Sequence, residues 1–232
     1  MASIERLGAQ YDKIKQNADE QGVDPQEVEK IRNSFFTLHG GKWEVHEAFW
    51  KPTGLVLGYP FPEDLGGKFI SLRKEILEKL GLGTNQYWLP DEDLLHITII
   101  SYSHYSESDM NLASLPLTEV SKTREIVGNC RPIKVVFRGA LVTNSGSLLV
   151  KGFVDNEDLF SLRSELMSKI EGITQRSQNL VHVKLAQILD DVPYKFTELT
   201  NRLYSATDLG RYVFTEVKTP EREVLQFKDS GV

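Results

Sequence analysis

The polar and apolar positions along this chain change rhythm near residue 42. Over SIERLGAQYDKIKQNADEQ, Ile4, Leu7, Tyr11 and Ile14 recur at helical spacing on a polar background, which predicts an amphipathic helix. The following DPQEVEKIRNSFFTLHG predicts a second helix, with Asp24 as N-cap, Pro25 at the first helical position and Gly40-Gly41 as terminator. From KWEVHEAFWKPTGLVLGYPF onward the pattern shortens to β-like runs separated by turn residues. Residues 1–48 therefore read as an N-terminal helical extension, and residues 49–232 as the main bilobal domain.

Within that domain the pattern repeats. FISLRKEILEKL (69–80) and LFSLRSELMSKI (159–170) both predict helices, and a shift of 90 places Ser71 on Ser161, Leu72 on Leu162, Arg73 on Arg163, Glu75 on Glu165 and Lys79 on Lys169. Each helix follows a short apolar segment containing glycine, LVLGYPF or LLVKGFVD. Each is followed by a polar loop and then an apolar strand with a histidine in it, DLLHITII or NLVHVKLAQI. Leu, Arg, Glu and Lys are common in any helix, so the helices alone say little. Their agreement with the strands before and after predicts a duplicated strand–helix–strand unit and pseudo-twofold symmetry.

Side chains alternate across a strand, so His96 and Thr98 share one face while Ile97 and Ile99 take the other. In the second strand His182 and Lys184 share a face, opposed by Val183 and Leu185. Two such polar faces can line one cleft if the halves pack about a twofold axis.

Composition narrows the partners. Of 232 residues, 40% are apolar and 26% charged, as in ordinary globular chains. The balance of 27 basic against 33 acidic residues gives a net charge of −6, which argues against a sequence-independent grip on duplex DNA. A small anion remains possible, since a pocket can be positive within an acidic protein. Cys130 is the single cysteine, which leaves no internal disulfide and no thiolate zinc cage and predicts a reducing, cytoplasmic setting. No apolar run reaches the length of a membrane span, and MASIERLGAQYDKIKQ is too charged for a secretory signal, so no membrane partner is expected.

Two opposed imidazoles suit in-line displacement at a phosphodiester, which needs a base beside the attacking water and an acid beside the leaving oxygen. Histidine serves either role near neutrality because its ordinary pKa is about 6.5. A Thr98 hydroxyl and a Lys184 ammonium on the same faces are suited to hold non-bridging phosphate oxygens, with no metal or cofactor in the scheme.

The paired His96-Ile97-Thr98-Ile99 and His182-Val183-Lys184-Leu185 resemble the HxTx motifs of the 2H phosphoesterase superfamily, with a degenerate second motif. That superfamily includes 2′,3′-cyclic nucleotide phosphodiesterases, the bacterial enzymes called 2′-5′ RNA ligases, and enzymes that degrade 2′-5′ oligoadenylate. The resemblance covers roughly residues 50–215. It implies an α+β fold of two pseudo-symmetric lobes, antiparallel sheet plus helices, around a central groove. It also implies phosphodiester hydrolysis of a small nucleotide or short oligonucleotide, with His96 and His182 as catalytic pair and Thr98 and Lys184 as phosphate ligands. Lys184 stands where the family usually has Thr or Ser. That departure leaves a second expectation open, a nucleotide-binding or regulatory protein that has lost turnover. A fortuitous repeat would leave an unrelated α+β domain.

The remaining candidates read as structural. His104 falls beyond the predicted strand end, and His39 and His46 lie in the N-terminal segment. Arg73 and Arg163 are expected on a solvated or lobe-bridging helix face, and Tyr59, Phe61, Tyr102 and Tyr105 in the core or at its rim. No HExxH, Walker-type or dinucleotide-binding glycine pattern occurs. Which histidine is base and which acid, and the oligomeric state, are left undetermined.

Overall fold

The computed structural model describes residues 3–46, 54–101, 117–171, 180–190, 192, 194–218 and 224–228. Two helices open the chain, α1 (Ser3–Gln21) and α2 (Pro25–Phe35). Asp24 caps α2, its carboxylate accepting from the Gln26 amide at 2.9 Å, with Pro25 in the first turn where a missing N–H is harmless. The expected glycine stop is different. The helix ends at Phe35, and the chain forms a hairpin of β1 (Phe36–His39) and β2 (Lys42–Val45). Gly40 and Gly41 are its two turn residues, at φ +57° and +80°, the pair of positive angles that a tight two-residue hairpin demands. The N-terminal segment is thus helical with a hairpin appended.

The body holds two antiparallel sheets, neither closed into a barrel. One has the order β11 (Val224–Gln226), β10 (Glu216–Lys218), β3 (Gly54–Leu57), β5 (Ile97–Ser101). The other runs β4 (Tyr87–Trp88), β8 (His182–Ile188), β7 (Ser147–Val154), β6 (Ile133–Val142), β9 (Asp208–Phe214). The helices α3 (Glu63–Leu80), α4 (Leu117–Asn129), α5 (Asp158–Lys169) and α6 (Tyr194–Tyr204) complete a two-lobe α+β fold. Among the described residues no helix is long and apolar enough to cross a membrane.

The repeat has a structural counterpart. In one lobe β3 leads through α3 to β5, its antiparallel neighbour; in the other β7 leads through α5 to β8, again its antiparallel neighbour. The correspondence extends to a defect. Val56 pairs with Thr98 and Leu55 with Ile100, leaving Ile99 as an extra residue in β5. Leu149 pairs with Lys184 and Leu148 with Ala186, leaving Leu185 as an extra residue in β8. Both bulges fall three residues after the histidine. A bulge of this kind bends a strand and re-aims its neighbours, and such bulges gather at functional edges.

Packing crosses the lobes: α5 lies against β5, and α3 against β8 and β9. One continuous apolar core runs through both, from Leu55, Leu57, Ile97 and Ile99 to Val150, Val183 and Leu185. The N-terminal helix joins it. Leu7, Tyr11 and Ala18 are buried, and the Tyr11 hydroxyl donates to the Val181 carbonyl, one residue before His182.

Candidate functional site

His96 lies immediately before β5 and His182 opens β8. Along each segment the accessibility alternates: His96 and Thr98 are half-buried between buried Leu95, Ile97 and Ile99, and His182 and Lys184 are half-buried between buried Val181, Val183 and Leu185. Apolar side chains turned into the core leave the polar set on the opposite face. Among the described residues β5 is an edge strand, while β4 borders β8 only at Gln187 and Ile188, far from His182. The histidine ends of both strands therefore lie at sheet margins, and these margins approach each other.

Electrostatics place His182 in one neighbourhood with His96, Lys184 and Arg163. The His182 pKa is pushed down to about 4, by burial first and then by the charges of Arg163, Lys184 and His96. Its Nδ1 is buried with no hydrogen-bond partner among the described residues. Burial also lowers His96, opposed by the bond from Nδ1 to the Leu94 carbonyl at 2.7 Å. A carbonyl only accepts, so Nδ1 carries the proton and the neutral ring presents its Nε2 lone pair. Burial alone pulls the Lys184 ammonium down to about 8, and among the described residues no carboxylate pairs with it. The Lys184 ammonium and the Arg163 guanidinium concentrate positive potential beside two neutral imidazoles in a chain of net charge −6. Such a place attracts an anion.

Arg163 was expected on a helix face, solvated or lobe-bridging; it is buried, and so is Arg73. Its guanidinium donates from Nε to the Ile99 carbonyl at 3.0 Å, from Nη2 to the Thr98 carbonyl at 2.7 Å and from Nη1 to the Leu180 carbonyl at 3.0 Å. Arg73, its repeat partner, donates to the Pro90 carbonyl at 3.1 Å and meets Glu92 at 3.5 Å. Each arginine thus grips the chain 17 residues downstream, in the segment leading to its histidine. The matched positions in the repeat were a signal for this role; the burial was not visible, because a charged side chain on an amphipathic helix ordinarily takes the solvated face.

Tyr59 is buried with its ring edge-on to His96, centroids 6.2 Å apart, whereas Phe61 belongs to the core against Phe69, Phe137 and Phe214. Lys151 faces His182 across the β7–β8 ladder, but its ammonium donates to the Ser205 carbonyl at 2.8 Å. His39 pairs with Glu44 on the exposed hairpin. Tyr102, His104 and Tyr105 lie outside the described residues. Among the described residues no three His, Cys, Asp or Glu side chains gather where they could hold a metal ion. A surface cleft of about 980 Å³ between α3 and the start of β9 is lined by Glu63, Asp64, Lys68, Glu75 and Asp208 and includes none of these groups.

No family model matches the chain, and no curated protein matches it. Among solved structures, the crystal structure of TT0787 from Thermus thermophilus is similar at 13% sequence identity and a TM-score of 0.48, covering 75% of this chain and 95% of that one.

Proposed function

We propose that the protein is a 2H-type phosphoesterase that hydrolyses a 2′,3′-cyclic or 2′-5′ phosphodiester of a small nucleotide or short oligonucleotide in the cytoplasm. The observation that carries the reading is the matched pair of bulged histidine strands, each with a second polar residue on the histidine's face, with His182 in the field of His96 and Lys184. His96, neutral with its Nε2 lone pair free, takes a proton from water. The water oxygen bonds to phosphorus as the bond from phosphorus to the leaving oxygen breaks. His182 returns a proton to that oxygen. Bound phosphate offsets the charges of Arg163 and Lys184, so the anion itself raises the His182 pKa and loads the acid. The Thr98 hydroxyl and Lys184 ammonium hold non-bridging oxygens, where charge accumulates in the transition state.

One observation favours a second reading. A His182 held near pKa 4 is unprotonated at neutrality unless an anion lifts it, and a site where that lift fails binds nucleotide without turnover. The test is incubation with a panel of 2′,3′-cyclic mononucleotides and 2′-5′-linked oligomers in EDTA, with calorimetry on the same compounds. Hydrolysis of at least one member is expected. Binding without cleavage selects the second reading, and neither binding nor cleavage removes both.

A further inference from the structure

Among the described residues β5 ends its sheet, and an edge strand leaves carbonyls without ladder partners. Its bulge at Ile99 adds to the problem: the extra residue is unpaired, and two consecutive carbonyls, of Thr98 and Ile99, accept bonds from outside the sheet. In the opposite lobe the Leu180 carbonyl precedes β8 by two residues. All three are taken by one side chain, Arg163, through three different nitrogens at 2.7–3.0 Å. Arg163 is 5% exposed and rides on α5, which itself packs on β5. The planar fork of a guanidinium fixes the directions of its donors, so three bonds from one group fix the relative position of the backbones they hold.

We propose that Arg163 is the positioning residue that holds the two histidine-bearing strands in register with each other, by binding the backbone of both motifs at once. Thr98 is itself a motif residue, and Leu180 lies two residues before His182, so the clamp acts at the site and not at a distance. The Tyr11 hydroxyl holds the carbonyl of the next residue, Val181, so two consecutive carbonyls before His182 are both bound. The repeat partner does something different. Arg73 binds Pro90 and Glu92, both in its own lobe, so the inter-lobe clamp is a property of Arg163 and not of the duplicated helix. In-line displacement needs the two imidazoles on opposite sides of one phosphorus, and a misplacement of about 1 Å can lower a rate about 100-fold. The inference rests on the phosphodiesterase reading for its effect on turnover, but not for its effect on the histidines.

The charged and titratable groups facing His182 are Arg163 from α5, Lys184 on its own strand and the neutral His96 ring, with Lys151 opposite it on β7. Two variants separate charge from geometry. Arg163→Lys keeps a cation but has one ammonium in place of a fork with three nitrogens, and Arg163→Met removes both. Kinetics on the best substrate are paired with NMR titration of the His96 and His182 ring signals, with Arg73→Met as control for the titration. In both Arg163 variants kcat is expected to fall about 100-fold with KM changed less than threefold. The His182 titration should move upward in Arg163→Met and stay low in Arg163→Lys, while the His96 signals, in the other lobe, shift in both. Arg73→Met should leave the His182 titration in place. Should Arg163→Met fail to fold, Arg163→Lys still decides: wild-type kcat together with unmoved His96 and His182 signals overturns the proposal. If the wild type cleaves none of the panel, the phosphodiesterase reading fails, while the ring signals still judge the clamp.

Discussion

Replacing Lys184 by methionine should stabilise this protein. The ammonium is desolvated on β8, and among the described residues no carboxylate compensates it. A pKa pulled from the usual 10.5 to about 8 corresponds to ~3 kcal/mol against the charged form in the folded state. Methionine keeps an unbranched side chain of similar length and has no charge to desolvate, so the Lys184→Met protein should gain up to ~3 kcal/mol at pH 7. The pH dependence supplies a signature. Between pH 8 and 10.5 the unfolded wild type retains a proton that the folded wild type has lost, so wild-type stability rises with pH across that window. Below about pH 8 both states are protonated and the variant's advantage is complete; by about pH 10.5 it should have vanished. Urea unfolding of both proteins from about pH 7 to 10.5 measures this directly. A variant less stable than wild type at neutral pH, or an advantage that does not change with pH, would refute the reasoning. A gain in stability with a loss of phosphate binding is what a residue kept for function should show.

His182 should leave a trace of the same sign in a different window, in acid. Its folded pKa of about 4 lies below that of the unfolded chain, so the unfolded state binds the extra proton and wild-type stability should fall by ~3 kcal/mol as pH drops from 6.5 to 4. In His182→Gln that component should be missing from the urea-unfolding profile; an unchanged profile would show that the imidazole is not desolvated. At the other end of the molecule, Asp24→Ala removes the cap of α2 and should lower stability by about 1 kcal/mol, with no effect below that expected if the Gln26 amide finds water instead. Thermal unfolding at neutral pH is sufficient for the comparison.

Local chemistry was legible in the sequence where it decides the structure by itself. The first helix covers the stretch in which Ile4, Leu7, Tyr11 and Ile14 recur and runs on to Gln21, and Asp24-Pro25 marks the start of the second. The duplicated units were legible because a helix and two strands had to agree in order. The β1–β2 hairpin was not, because Val28, Ile31 and Phe35 keep helical spacing up to Phe36 without a break. The Gly40-Gly41 pair is equally a helix stop and a hairpin turn, and packing of Phe36 on Trp88 accompanies the second outcome. The bulges at Ile99 and Leu185 left no mark in composition, since register is set between strands distant in sequence. His96 and His182 stood out as polar residues in apolar runs. Arg163 was marked by its matched place in the repeat, but its burial was not legible, because the Thr98 and Ile99 carbonyls that it binds come from the other lobe.

The central claim is that His96 and His182 serve one phosphodiester, and the most direct measurement is the hydrolysis rate of the best cyclic or 2′-5′ substrate for His96→Ala, His182→Ala and the double variant. General acid–base assistance is worth about 100- to 10,000-fold per group, so each single variant should lose at least 100-fold in kcat in EDTA while retaining its fold by circular dichroism. Groups that act as one unit do not add, so the double variant should be about as slow as the slower single. If either single variant hydrolyses the substrate at the wild-type rate, the two histidines do not form a catalytic pair.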